Sequence, residues 1–353
     1  MFVDRLQIVN FRNYDELLVD FSPGKILIYG ANGQGKTNLI EAIYYLVIGK
    51  SFRGKDNSLI RFGAENFQIG AKISKKDQKI TLGVEYSEKG KFFLKNGQKQ
   101  KSFSSILGNL KGVLFTPDEP VVFFGFPANR RKALDLFLAQ TSKTYLLSLI
   151  YYQKVLTNKN ALLKQARDVD NLIEAWNYKL AEFGAEIIKE REKCLKILND
   201  IIKELNAQLR FLPGKIEVSY KTTVTDDKEK IFELLKQRYT EEKDKKQALF
   251  GPHRDDLNFY VNGRDLKIFG SQGQKKGALL LFKLAQAVYM AKISGERPVV
   301  LLDDLYSEFD KEKKETLEGF FLKYSDQVFI TATEPIDLKN YHQVVFVENG
   351  KVF

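Results

Sequence analysis

Residues Gly30–Thr37 read GANGQGKT and satisfy the pattern G-x-x-x-x-G-K-[ST] at every fixed position. The preceding segment, KILIYG, is a short apolar strand that ends in glycine. The following segment, NLIEAIYYLVIG, carries Leu39, Ile40, Ile43, Tyr44, Leu46 and Val47 at helical spacing. Strand, glycine loop and helix in that order leave few choices of fold. Glycines let backbone N–H groups close around phosphate oxygens, and the positive end of the new helix faces the same oxygens. Gly30, Ala31, Asn32, Gly33, Gln34 and Gly35 are therefore candidates to bind a nucleotide such as ATP. Lys36 is placed to reach its β- and γ-phosphates, and Thr37 to ligate Mg2+.

A phosphate loop of this kind needs a magnesium-directing acid on a neighbouring strand. PVVLLDDLYSEFD supplies one: Val299–Leu302 read as a buried strand with Asp303 and Asp304 at its carboxyl end. Asp303 is the candidate to hold Mg2+, directly or through water. Asp304 is the candidate to orient or deprotonate an attacking water. A third element, GSQGQKKGALLLFKLAQAVYMAKI, sets Ser271, Gln272, Gly273 and Gln274 just before an apolar helix. Small and amide residues there either present N–H groups to a phosphate or form a plain N-cap turn.

Composition narrows the class. Lys and Arg number 56 against 45 Asp and Glu, a net charge of +11 that favours an anionic partner. Cys194 is the only cysteine and His253 and His342 the only histidines, which excludes a disulfide scaffold and a histidine-rich metal centre. A reducing cytoplasm is the expected compartment. No run of about 18 apolar residues occurs, and the opening MFVDRLQIVNF lacks an apolar signal core, so no membrane partner is expected.

Charge is concentrated rather than spread. Residues 50–103, a β-rich stretch with a KNGQ hairpin turn, hold 13 basic and 5 acidic residues. This is either a solvated surface or a face that meets DNA phosphates. Arg53, Lys55, Lys72, Lys75, Lys76, Arg130 and Arg131 are the candidate DNA contacts. Arg130 and Arg131 alternatively touch nucleotide or pack as a charged helix start, and Arg254 either pairs with its flanking aspartates or meets a ligand. GVLFTPDEP reads as a strand running into a proline-marked loop. Leu172, Trp176, Leu180, Phe183, Ile187, Cys194, Leu198, Ile201, Leu205 and Leu209 predict one long amphipathic helix, with a gap at Arg191. At 1.5 Å per residue its roughly 40 residues span about 60 Å. A helix near 144–168 is placed to pair with it, either as a projecting arm or as a domain packed on itself. FLPG breaks the long helix, KIEVSYKT is a strand, and KEKIFELLKQRYTEEKDKKQALF is read as one further helix.

The order of elements resembles ATP-binding-cassette (ABC) ATPases, specifically those with SMC-like heads. It resembles one family more closely, the bacterial RecF recombination mediators. FRNY at 11–14, GANGQGKT, GFPANRRKALD at 125–135, GPHRDD at 251–256, SQGQ at 271–274 and LLDDLYSEFD at 301–310 are similar to that family's motifs and span most of the chain. The resemblance implies an α/β fold: an ABC-type P-loop head with a β-rich subdomain, split over 1–127 and 250–353, around a mostly helical lid or arm over 128–249. It implies ATP and Mg2+ as cofactors and an ATP-dependent homodimer in which SQGQ completes the partner's site. Slow ATP hydrolysis then acts as a release switch. It implies DNA as partner, single-stranded, double-stranded or a gap junction. RecR and RecO are implied as co-workers in loading recombinase, in repair, replication restart and the SOS response. The family pattern is not followed everywhere. Asp304 stands where ABC ATPases usually place glutamate, and no histidine follows VFITA, so Thr331 or Thr333 is the candidate γ-phosphate sensor. Asp118 or Glu119 is the candidate to assist magnesium in place of a Q-loop glutamine, and Asp310 the candidate to cross the dimer. A transporter-type ABC subunit and a small-molecule phosphotransferase remain the alternative readings.

Overall fold

The computed structural model describes residues 1–76, 78–165, 170–304, 311–335 and 338–353. Two compact units partition the chain, Met1–Glu119 with Lys283–Phe353, and Pro120–Phe282. The sequence placed the joints at 127/128 and 249/250. They fall elsewhere because strands after residue 250 belong to the inserted unit, and the second joint lies inside a helix, Gln272–Ile293.

In the first unit, the strands β1 (Phe2–Phe11), β2 (Tyr14–Asp20), β4 (Asn66–Lys75), β5 (Gln78–Ser87), β6 (Gly90–Lys95) and β7 (Gln98–Gln100) form an antiparallel sheet in the order β2-β1-β4-β5-β6-β7. The β-rich character expected of residues 50–103 is real, and β4 has the period of two of a half-buried strand: Phe67, Ile69, Ala71 and Ile73 are buried, while Gln68 and Lys72 face solvent. Asn96 and Gly97 both take positive φ, 50° and 76°, as the two-residue turn of the β6–β7 hairpin requires.

A second, mostly parallel sheet orders β15 (Lys351–Val352), β14 (Gln343–Glu348), β3 (Gly24–Tyr29), β13 (Gln327–Ala332), β12 (Val299–Leu302) and β8 (Gly112–Phe115). All four residues of β12 and all six of β13 are buried, the apolar runs expected of strands covered on both faces. α1 (Lys36–Ile48) follows β3 through the glycine loop. The strand read in GVLFTPDEP is β8, and Pro117 lies in the turn that follows it. That turn is short: Pro120 is already the second residue of α2 (Glu119–Gly125), a first-turn position where its missing N–H has no helical partner to lose.

The second unit carries α3 (Pro127–Thr141), α4 (Lys143–Leu163), α5 (Asp170–Leu209), α6 (Lys228–Gln237), α7 (Tyr239–Lys245) and the short α8 (Leu266–Phe269). A three-stranded sheet orders β11 (Arg264–Asp265), β10 (Asp256–Val261) and β9 (Ile216–Lys221). α9 (Gln272–Ile293) begins in this unit and ends in the first; α10 (Lys311–Tyr324) lies wholly in the first. α5 is a single helix of 40 residues. Tyr151 of α4 stacks on Phe183 of α5 at 5.4 Å, and Tyr145 meets Arg191, so the two helices run antiparallel. Further along α5, Asn199 exchanges hydrogen bonds with Val218 of β9. The unit therefore packs on itself along α5 and is not a bare projecting arm. Two details differ from the sequence reading. Leu172 is exposed and Ile173 buried, and the helix expected over 228–250 is broken at Arg238 into α6 and α7.

Candidate nucleotide-binding site

The glycine loop is held from behind by both ends of the first unit. Asn13 Nδ2 donates to the Gln34 carbonyl at 2.8 Å and Tyr14 Oη to the Gly35 carbonyl at 3.1 Å. From the far end of the chain, Asn349 N–H donates to Gln34 Oε1 at 2.6 Å and Gly350 N–H to the Gln34 carbonyl at 3.1 Å. These contacts explain two of the glycines. Gly30 has φ 151°, and a Cβ there would lie 2.2 Å from the Val347 carbonyl oxygen. Gly35, the N-cap of α1, has φ 121°, and a Cβ would lie 2.8 Å from Asn13 Nδ2. No side chain caps α1, while Ala31, Asn32 and Gly33 are exposed, so the loop's own amides face outward at a helix start.

Lys36 is buried and donates to the Gly30 and Ala31 carbonyls at 2.8 and 2.9 Å. Burial lowers its pKa, and the negative charges of Asp304 and Asp303 oppose that shift. Behind α1, Glu41 is fully buried and accepts from Arg12 at 2.8 and 2.9 Å, from Arg53 at 2.7 Å and from Ser51 at 2.5 Å. Burial alone would raise this carboxyl; the bonds from Arg12, Arg53 and Ser51 hold it below its ordinary value.

The acid is not on the strand next to the loop. β13 lies between β3 and β12, and it brings a second hydroxyl to the acid. Asp303 Oδ1 accepts from Thr37 Oγ1 at 2.9 Å and from Thr331 Oγ1 at 3.0 Å. Thr331 Oγ1 in turn accepts the Asp304 N–H at 2.8 Å. Burial raises the Asp303 carboxyl, the two threonine bonds pull against it, and Asp304 adds to the rise. Thr37 and Asp303 thus place a hydroxyl and a carboxylate together beside a phosphate cradle, hard oxygen donors that fit a magnesium ion.

Thr333 is exposed, and Thr331 has its hydroxyl committed to the two aspartates. Glu119 Oε1 pairs with Lys283 Nζ at 2.5 Å, and Asp118 is exposed. Asp310 lies outside the described residues. Gln272, Gly273 and Gln274 are not ahead of their helix but form its first turn. Ser271 caps them: its Oγ accepts the Gln274 N–H at 3.2 Å while Gln274 Oε1 accepts the Ser271 N–H at 2.9 Å, a reciprocal capping box.

The basic candidates divide. Lys55, Lys72 and Lys76 are exposed. Lys75 pairs with Glu296, and Arg53 is drawn onto Glu41 and Asn38. Arg130 is no surface cation: it is 1% exposed and grips Asp256 through two bonds of 2.7 and 2.8 Å. Arg131 is half-buried and donates to the Asp255 carbonyl at 2.6 Å. Arg254 makes no pair with its neighbours either; it donates to the Ala248 carbonyl, because Asp256 is taken by Arg130 and Asp255 by Tyr220 and Arg191.

That last residue was missed. The gap at Arg191 is a buried guanidinium bonded to Asp135 at 2.7 Å, Tyr145 at 3.0 Å, the Pro252 carbonyl at 2.9 Å and Asp255 at 3.4 Å. The GFPANRRKALD and GPHRDD segments meet there, with His253 alongside. Burial pulls His253 down to about 4; its Nε2 faces the Ala248 carbonyl at 3.2 Å, which leaves Nδ1 of the neutral ring to accept from Tyr152 Oη at 2.6 Å. The signal was a single charged residue inside an apolar stripe.

A glycine loop at the carboxyl end of β3 and a carboxylate pair two strands away define a P-loop ATPase head of the ABC type with an SMC-like fold. The RecF/RecN/SMC N-terminal domain family model matches residues 2–351. A protein of Carboxydothermus hydrogenoformans called DNA replication and repair protein RecF is 93% identical over 352 residues, all of both chains. A Clostridium botulinum (strain Langeland) protein of the same name is 35% identical, covering 100% of this chain and 99% of its own. The chain belongs to the RecF family. A solved structure of the recombination mediator protein RecF with ATP, in the RecFOR pathway, superposes with a TM-score of 0.93 at 32% identity, covering 100% of this chain and 97% of that one. An SMC head bound to the C-winged helix domain of ScpA shares the fold alone, with a TM-score of 0.59 at 16% identity. Among the described residues no helix is long and apolar enough to cross a membrane.

Proposed function

We propose that this chain is an ATP-dependent DNA-binding protein of recombinational repair and replication restart, acting with RecO- and RecR-type partners in the cytoplasm. The observation that carries the reading is the Thr37–Asp303 hydrogen bond, which joins residues 266 positions apart beside the glycine loop. Loop amides and the start of α1 bind the phosphates of ATP, and Lys36 reaches the β- and γ-oxygens. Thr37 and Asp303 are the residues that would hold Mg2+, which when bound neutralises charge on those oxygens. Asp304 orients the water. Ser271–Gln274 of a second copy closes over the γ-phosphate, so ATP drives homodimerisation around DNA and slow hydrolysis reverses it. Lys55, Lys72 and Lys76 supply phosphate contacts on the DNA side.

The test is mass in solution without nucleotide, with ADP and with ATP, for the parent, Lys36→Ala and Ser271→Arg. Dimers with ATP alone, lost in both variants, are the expected result. A monomer that still turns over ATP would overturn the composite site and favour a self-contained phosphotransferase. DNA affinity is expected to fall steeply between about 50 and 200 mM salt, since each phosphate contact releases counterions.

A further inference from the structure

The strand between the phosphate loop and the acidic strand contributes one polar side chain whose every bond is aimed at the acid pair. Thr331 is 1% exposed, near the end of β13. A hydroxyl has one proton and two lone pairs. The proton goes to Asp303 Oδ1 at 3.0 Å, and a lone pair takes the Asp304 N–H at 2.8 Å. The second bond coincides with an unusual backbone. Asp304 has φ 46°, in the left-handed region that strains a non-glycine residue. Its half-buried amide in that conformation is met by Thr331.

We propose that Thr331 is a positioning residue that sets the two aspartates as one unit. It fixes the rotamer of Asp303 through the carboxylate and the backbone of Asp304 through the amide. With its hydroxyl so engaged it is not the γ-phosphate sensor, and no atom of it need touch the nucleotide. This inference rests on the ATPase reading above. Thr37 makes a matching bond to the same carboxylate oxygen from the other side. Thr331 would then help to hold Asp303 in place with a magnesium ion bound by Thr37 and Asp303.

Thr331→Val keeps the shape and removes both bonds. Thr331→Ser keeps the hydroxyl. Three readouts separate the possibilities: steady-state ATP turnover, retention of a fluorescent non-hydrolysable ATP analogue in EDTA, and the MgCl2 concentration that half-saturates analogue binding. In Thr331→Val, kcat falls about tenfold or more with KM for ATP changed less than about threefold. The MgCl2 requirement rises by a similar factor while binding in EDTA is unchanged. Thr331→Ser stays within about twofold of the parent throughout. Turnover and magnesium requirement of Thr331→Val within about twofold of the parent would overturn the proposal. So would equal losses in Thr331→Ser. Thermal melting checks that the variants fold; if valine is not accepted, Thr331→Ala is read by the same criteria. Lys36→Ala, run alongside, reports on the ATPase reading itself. If it binds and hydrolyses ATP like the parent, that reading fails, whereas a dead Lys36→Ala beside an unaffected Thr331→Val sinks only the positioning role.

Discussion

Replacing Arg191 with methionine tests whether the buried cluster on α5 holds the second unit together. The guanidinium side chain is 3% exposed and Asp255 beside it is 0% exposed. Methionine fills much of the volume but leaves Asp255 without its cation and the Pro252 carbonyl without its donor. Stranding one member of a buried pair costs about 3–5 kcal/mol. For a unit running Pro120–Phe282, each kcal/mol moves the melting temperature by about 2–4 °C, so the melt should fall by roughly 6–20 °C. The deficit should depend on pH in a definite direction. Burial already raises the Asp255 carboxyl, with Tyr220 and Arg191 opposing the rise. Without Arg191 it rises further, so the native variant holds a proton that the unfolded chain releases over a wider window. Stability then falls as pH increases through that window. Circular dichroism melts at about pH 5 and about pH 8 should therefore show the smaller deficit at the lower pH. A fall under about 2 °C at both values, or a larger deficit at the acidic one, would refute the reasoning.

Gly35→Ala forces a side chain at φ 121° onto Asn13 and Tyr14, so nucleotide affinity should drop at least about tenfold by calorimetry and the melt should fall as well. Lys159 and Glu242 form a pair with both side chains 0% exposed; Lys159→Met should lower the urea midpoint by about 3–5 kcal/mol equivalent, and adding Glu242→Leu should recover most of it. Cys194 is buried and its thiol pKa is pushed well up, so thiol reagents should label it only at the rate of unfolding.

Legibility followed distance along the chain. The glycine loop, β12 with its aspartates and the Asn96–Gly97 hairpin turn are contiguous patterns, and each was visible as a string of residues. Thr37 and Asp303 could be matched across 266 positions because a phosphate-loop hydroxyl calls for an acidic strand end as its counterpart. Thr331 was read as a candidate sensor, since nothing local says that β13 lies between β3 and β12. Arg130 stayed open between a DNA contact, a nucleotide contact and a packed helix start because its partner, Asp256, is 126 residues away. The proline-marked loop in TPDEP holds at Pro117 but gives way to a helix by Pro120, because a first-turn proline and a loop proline look alike in one dimension. Arg191 read as a gap since apolar periodicity has no symbol for a charge whose partners come from α3, α4 and two later segments.

The bracing of Gln34 by Asn349 and Gly350 has a consequence for synthesis. The glycine loop emerges early, and Asn13 and Tyr14 are already there to brace it, but the bond from Asn349 comes from 315 residues further on. Contacts of such separation form only after the intervening chain has been closed into a loop. Nascent or truncated chains that stop short of β14 carry the whole GANGQGKT sequence yet lack the later half of its frame. Nucleotide capture thus becomes a property of finished heads, and a fragment ending at Glu119 should be blind to ATP.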